Sequence, residues 1–317
     1  MVSASASAPA SIGNVGVGFD VLGQAFDAVR DRVTAVREPE PGARLGVVSG
    51  LVDRLPDTPA TNTALAAAAA LLEAAGADFG VRLSIDKGIP LSAGMGGSAA
   101  SAVAAAVAAN ALLPRPYSHA DLLPFAMAGE RVSSDPPPWD NVAASLFGGL
   151  VIVASERDAL VRPLPTPGGI VSILFHPPVA VHTAEARRLL RTEVPMAIAV
   201  EHSRRLAAFV AGCAAGDLGL IRTGLDDRLV EPQRAHLLPA LGPVKAAARA
   251  AGALGCSFSG SGPSVFAWAP LARADGVQAA MADAFRAAGL EAQAYRAAVD
   301  SPGARVEQLD PSQQRAA

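Results

Sequence analysis

Residues 99–113 are mostly alanine, and they overlap the end of the stretch Gly88-Ile-Pro-Leu-Ser-Ala-Gly-Met-Gly-Gly-Ser-Ala-Ala-Ser101. An alanine-rich segment of this length, interrupted by Ser101 and Asn110, is too short and too polar to span a bilayer and reads as a helix packed inside protein. Residues 81–85 read as a strand. The chain therefore runs from strand to glycine-rich turn to a helix starting near Ser98. The first N–H groups of such a helix have no intrahelical partner, and its dipole favours negative charge. Glycines let the backbone approach an oxyanion closely. An anion site is the first expectation, with a tightly packed helix start that binds nothing as the alternative.

Two common phosphate motifs do not account for this loop. The P-loop needs a Gly-Lys pair, and the chain has none. Gly94-Met-Gly-Gly-Ser-Ala99 fits GxGxx[GA]. However, Leu112-Leu-Pro-Arg-Pro-Tyr117 after the helix is not a second parallel strand, so the acidic residue expected to hold a ribose is missing. A hydroxyl at Ser98, beneath bound phosphates, is placed to ligate Mg²⁺, which prefers oxygen ligands. An N-cap at Ser98 and a buried helix-facing hydroxyl at Ser101 are the plainer alternatives.

Composition narrows the classes further. The 317 residues carry a net charge of −3, which gives no general basic field for nucleic acid. Lys87 and Lys245 are the only lysines, so positive charge comes mainly as arginine forks suited to carboxylate and phosphate. Cys213 and Cys256 have no metal-ligand spacing and read as buried thiols in a reducing compartment. The N-terminal stretch lacks the charged and apolar regions of a signal peptide. A cytoplasmic protein with no membrane partner is expected.

Along the chain, residues 1–12 show no clear periodicity. Residues 14–22 read as a tight loop leading to a turn or short strand, and 33–37 and 44–48 as strands. Residues 61–75 read as a helix, with Thr61 as its cap. Ser118 with Asp121 resembles a capping box for a helix ending near Glu130. Ser133-Ser-Asp-Pro-Pro-Pro-Trp-Asp140 cannot be helical. Strands follow at 150–154 and 170–175, helices near 183–191, 196–212, 216–227, 239–251 and 271–288, and strands at 257–258, 265–268 and 290–297. The tail from Ser301 is polar and expected to fray. The Pro/Gly-rich link at 163–169 divides the chain into expected domains of 1–165 and 166–317. Strands mixed with helical runs favour α+β.

Four segments together resemble one family. Pro9-Ala-Ser-Ile-Gly-Asn-Val-Gly-Val-Gly-Phe-Asp-Val-Leu-Gly23 is similar to the N-terminal motif of homoserine kinases. Residues 90–101 resemble the PxxxGxGSSAA motif of the GHMP kinase superfamily. Asp140-Asn-Val-Ala-Ala-Ser-Leu-Phe-Gly-Gly149 resembles the DNVAPALxGG segment of homoserine kinases, and Ser259-Gly-Ser-Gly-Pro-Ser264 the third GHMP motif. The resemblance implies a two-domain α+β fold: an N-terminal domain like domain 2 of ribosomal protein S5 and a ferredoxin-like C-terminal domain. It also implies transfer of the γ-phosphoryl of ATP to the side-chain hydroxyl of L-homoserine, with Mg²⁺, and it leaves a homodimer open.

Carried over position by position, the resemblance makes Asn14, Asp20, Asn141, Arg187 and Arg234 substrate-binding residues. Asp20 suits the amino acid's ammonium, and the arginines suit its carboxylate by bidentate pairing. Glu130 matches a Mg²⁺ ligand that would share the ion with Ser98. Asn62 matches a position near adenine, a residue of the first helical turn being the alternative. Pro90, Leu91, Ser92, Ala93, Gly94, Met95, Gly96, Gly97, Ser98 and Ser101 form the nucleotide loop. Lys87 is placed to reach phosphate, with a solvated surface lysine as the alternative. Asn141, Ser98 and Glu130 carry the catalysis. Asn141 stands where mevalonate kinase has an aspartate base, and an amide cannot take a proton at neutral pH. Gly97 stands where the family has serine, Ser92 where it has glycine, and Pro138-Trp139 where it has His-Pro. Rival readings are a GHMP kinase for another small alcohol, a non-catalytic sensor on the same scaffold, and an RNA-binding protein. The charge balance weighs against the last.

Overall fold

The computed structural model describes residues 2–181 and 183–309. It opens on a long hairpin of β1 (Ser3–Gly13) and β2 (Leu22–Glu38). Residues Ser3–Gly13, most of a stretch that shows no obvious pattern, are thus a strand with a neighbour on each side. Ala4, Ala6, Ala8 and Ala10 alternate with serines and Pro9, and all four alanines are buried. The period of two is present, but it is written in residues with weak strand preference. Pro9 is tolerated because the register shifts at a bulge between Pro9 and Ala10.

β3 (Gly42–Gly50), α1 (Thr63–Ala74) and β4 (Gly80–Lys87) form a crossover, with β3 and β4 parallel. The loop after β4 feeds α2 (Gly97–Asn110), in which every residue from Ala99 to Asn110 is buried. Side chains this small let α2 sit against β1, β2, α1 and α3 (Leu123–Glu130) at once. The segment at 133–138 is non-helical as expected. Helix then starts at Trp139, two residues earlier than the Pro-rich reading allowed, as α4 (Trp139–Phe147). β5 (Leu150–Ser155) and β6 (Leu160–Leu164) complete this half.

β7 (Ile170–His176) begins a second sheet. Then come α5 (Thr183–Arg188), α6 (Met196–Ala215), α7 (Leu218–Gly224), the single turn α8 (Glu231–Arg234), α9 (Leu241–Ala250), β8 (Gly255–Phe258), β9 (Val265–Pro270), α10 (Ala274–Ala287) and β10 (Gln293–Ala298). The sheet is antiparallel throughout, in the order β10-β7-β9-β8. Without α5–α8, this is the βαββαβ ferredoxin-like arrangement. One face packs on α9 and α10 through Phe175, Val244 and Phe285.

The other face joins the first half in one core, where Leu174, Phe266 and Trp268 meet Phe209 of α6 and Phe26 of β2. Trp268 Nε1 donates to Gln24 Oε1 at 2.8 Å across this seam. The tail does not fray at Ser301. Residues Arg305–Leu309 form β11 against β1, giving the first sheet the order β11-β1-β2-β4-β3, with β5 on β2 and β6 on β5. β11 therefore departs from a division at 165/166, because it completes an edge of the first sheet. Residues 310–317 lie outside the described residues.

Candidate active site

The residues between β4 and α2 turn sharply, with positive φ at Ser92, Gly94 and Gly96. Gly96 is the N-cap of α2 in the left-handed region, and a Cβ there would come within 1.9 Å of Ser11 Oγ. Only glycine fits. α2 starts at Gly97, one residue before Ser98, and its open N–H groups face a cleft of about 500 Å³ between the two halves. Every site residue expected from the sequence lines this cleft.

At one end of the cleft, Ser98 Oγ donates to Glu130 Oε1 at 2.8 Å, and Ser133 Oγ donates to the same oxygen at 2.9 Å. Glu130 is 3% exposed. Its other oxygen, Oε2, is buried with no hydrogen-bond partner among the described residues. Burial raises the Glu130 carboxyl to about 7, against the hydrogen bonds from Ser98 and Ser133 and the charge of Lys87. A carboxylate oxygen without a partner beside a hydroxyl is a hard-oxygen donor set that fits Mg²⁺. No group of three or more His, Cys, Asp or Glu among the described residues is arranged for a metal. Phosphate and water would have to complete the shell.

At the other end, Arg187 makes a bidentate ion pair with Asp20, Nη1 to Oδ2 at 2.8 Å and Nη2 to Oδ1 at 2.9 Å. Both side chains are partly exposed to the cleft. The guanidinium carbons of Arg187 and Arg234 stand 5.5 and 5.2 Å from the centre of the Phe19 ring. Arg234 is buried, and its Nε donates to the Ala186 carbonyl at 3.0 Å. Burial, then the charge of Arg187, brings its guanidinium down to about 10. Asn14 and Asp20 both have positive φ, as suits short polar side chains in a tight loop.

Asp140 and Asn141, in the first turn of α4, connect the two ends. Asp140 is 1% exposed. Its Oδ2 accepts from Asn14 N and its Oδ1 from Asn141 N, both at 2.8 Å, and Oδ1 also accepts from Asn141 Nδ2 at 3.1 Å. Burial and then the nearby Asp20 raise the Asp140 carboxyl to about 7, against the N–H donors. Asn141 Oδ1 accepts from Ser11 Oγ at 2.9 Å and lies beside Gly96.

Several expected roles change in the structure. Lys87 is not a solvated surface lysine. It is 2% exposed, paired with Asp31, and donates to Gly97 O at 3.0 Å and Ser101 Oγ at 2.9 Å. Those bonds use its three protons, so none is left for phosphate. Ser101 donates to Asp31 Oδ2 at 2.6 Å and so braces the loop from beneath. Asn62, not Thr61, caps α1: its Oδ1 accepts from Ala64 N and Leu65 N, and its Nδ2 donates to Pro56 O. Only the rest of Asn62 is left to face a ligand. The Asn14 amide is tied to Asp20 N and Gly260 O, so it joins two loops. Asp31 and Ser11 were not anticipated. Asp31 sits between Arg30 and Arg32 on β2, a triplet that reads as solvated charge.

Residues 62–149 match the GHMP kinases N terminal domain and residues 209–287 the GHMP kinases C terminal family. The chain is 46% identical over 308 residues to the homoserine kinase of Xanthomonas campestris pv. campestris (strain B100), covering 96% of this chain and 94% of that protein. It is 43% identical over 304 residues to the homoserine kinase of Xylella fastidiosa (strain 9a5c), with the same coverage. The crystal structure of homoserine kinase from Cytophaga hutchinsonii ATCC 33406 superposes with a TM-score of 0.92 at 38% identity, over 96% of this chain and 97% of that one. A mevalonate kinase from L. major, solved with R-mevalonate, shares the fold at a TM-score of 0.65 and 15% identity. With Ser98, Glu130, Asp140 and Asn141 gathered beneath a glycine loop in this architecture, the chain belongs to the homoserine kinase family of the GHMP kinases.

Proposed function

We propose that the protein transfers the γ-phosphoryl group of ATP to the side-chain hydroxyl of L-homoserine, giving O-phospho-L-homoserine for threonine biosynthesis. The observation that carries this reading is the Asp140–Asn141 pair. It touches the phosphate loop at Gly96 on one side and the Asn14–Asp20 loop on the other. A nucleotide on the loop and a zwitterion between Asp20 and Arg187 would therefore meet over Asn141. Phosphoryl transfer depends mainly on such positioning and on charge neutralisation.

Backbone N–H groups at the start of α2 would take phosphate oxygens. Mg²⁺, held by Ser98 and Glu130, would neutralise charge on the phosphates. Asn141 orients the substrate hydroxyl. Asp140 is poorly placed as a base, since both its oxygens already accept N–H bonds. The hydroxyl proton then passes to a phosphate oxygen. Among the described residues no helix is long and apolar enough to cross a membrane, and a cytoplasmic location fits both substrates.

A coupled ADP-release assay with L-homoserine, L-serine, L-threonine and mevalonate tests the reading. L-Homoserine should dominate at low concentration. ATP binding without turnover of any of them would instead favour the sensor on the same scaffold.

A further inference from the structure

The nucleotide loop is held from below by a buried carboxylate that no ligand would touch. Asp31, on β2, is fully buried at 0% exposure. Its Oδ1 accepts from Gly88 N and Ile89 N, both at 3.1 Å, where the loop leaves β4. Its Oδ2 accepts from Ser101 Oγ at 2.6 Å, in the first turns of α2, and takes the ammonium of Lys87. Lys87 in turn donates to the carbonyl of Gly97, the first residue of α2. One side chain thus fixes where the loop begins and where it ends.

A buried ion pair contributes little net stability, because desolvation offsets the attraction. It does fix geometry, since each partner must be met where it lies. Anion binding by backbone N–H groups depends on those groups being held in place beforehand. Lys87 stands close enough to the phosphate site to be mistaken for a ligand, yet Asp31 neutralises it and its protons are used internally. The attraction for phosphate is then left to the helix N-terminus.

We propose that Asp31, acting through Lys87 and Ser101, is the positioning residue that sets the loop in its nucleotide-binding shape. This rests on the ATP-site reading above. Its prediction is selective. Asp31→Asn keeps an acceptor for one or two N–H groups but removes the charge. It should raise the KM for ATP tenfold or more, leave the KM for L-homoserine within twofold and lower kcat less than fivefold. Asp31→Asn combined with Lys87→Met removes both buried charges. That variant should regain melting temperature without regaining ATP affinity.

Ser101→Ala leaves the ion pair in place and removes one brace. It should raise the ATP KM about threefold with little change in melting temperature, and it decides the matter if the Asp31 variants do not fold. A merely structural Asp31 would reduce the amount of active enzyme and leave both KM values unchanged. That result, or an ATP KM within twofold of wild type in Ser101→Ala and the double variant, would overturn the proposal. Wild-type protein that binds no ATP in calorimetry would overturn the ATP-site reading along with it. Normal wild-type binding with unchanged variants would sink this proposal alone.

Discussion

Asp140 shows how one residue sets a pH dependence. Its carboxyl stands near 7 in the folded protein against an ordinary value of 3.8, because burial outweighs the N–H donors. The folded state therefore binds a proton more tightly than the unfolded chain. The stabilisation is fully present below about pH 4 and is lost as pH rises through 7, and the shift corresponds to on the order of 4 kcal/mol. Metal-free protein should melt at a higher temperature at pH 5.5 than at pH 8, all else equal, and Asp140→Asn should reduce that difference, the remainder coming from Glu130, whose carboxyl burial also raises to about 7. A wild-type melting profile no steeper than the variant's across this window would refute the assignment.

Ser92 is the opposite kind of residue, a local strain with nothing to offset it. It is exposed, at φ 52, where the family pattern has glycine. Left-handed backbone costs a non-glycine residue roughly 1–2 kcal/mol, while glycine adds unfolded-state entropy. Ser92→Gly should therefore stabilise the protein by at most about 1 kcal/mol, read as a denaturant midpoint shifted at constant slope. Gly97 differs in kind. Its backbone is ordinary, but a Cβ would lie 3.2 Å from Ile89 Cγ2. The family serine fits here only if Ile89 shifts by a few tenths of an ångström. Gly97→Ser should fold, and a lowered ATP KM in the ADP-release assay would show that the missing hydroxyl matters.

At the scale of elements, legibility followed side-chain bulk and loop chemistry. β4, the glycine loop and α2 were readable because hydrophobic alternation, glycine and a helix-forming run fall in sequence. β1 was not, because it alternates alanine with serine while both faces are buried from Ala6 on, a pattern that no propensity separates from loop. α4 was masked by its own N-terminus, since three prolines and Trp139 precede Asp140. Within the site, the motif residues were found, but what their atoms bond to was not. Asn62, Lys87 and Ser101 lie where expected, yet each is committed to a cap or an internal brace, a fact set by strands far away in sequence. α2 carries a second consequence of small residues. Ala104 is fully buried in a helix packed on all sides. Ala104→Leu inserts volume where no side chain can yield, and it should cost about 1–3 kcal/mol in urea unfolding. A neutral result would mean that α2 is less closely packed than its burial indicates.

Across the whole molecule, the end of the chain braces the strand on which the nucleotide loop depends. β11 pairs with β1, and Gly303 before it and Glu307 within it reach past β1 to β2. Arg30 Nη2 donates to Gly303 O at 2.7 Å, and Arg32 pairs with Glu307. These two arginines stand on either side of Asp31. Removing residues 303–317 would leave β1 as an open edge with unpaired backbone groups, and open edges invite self-association. It would also strip both arginines of these partners. The truncated protein should melt on the order of 5–10 °C lower, since losing a few kcal/mol shifts a domain of this size by a few degrees each. Size-exclusion chromatography should show new higher-order species. The KM for ATP should rise while that for L-homoserine holds, because the disturbance reaches the loop through β2 and leaves Asp20 and Arg187 in place. Equal rises in both would mean that β11 supports the fold as a whole rather than the strand beneath the loop.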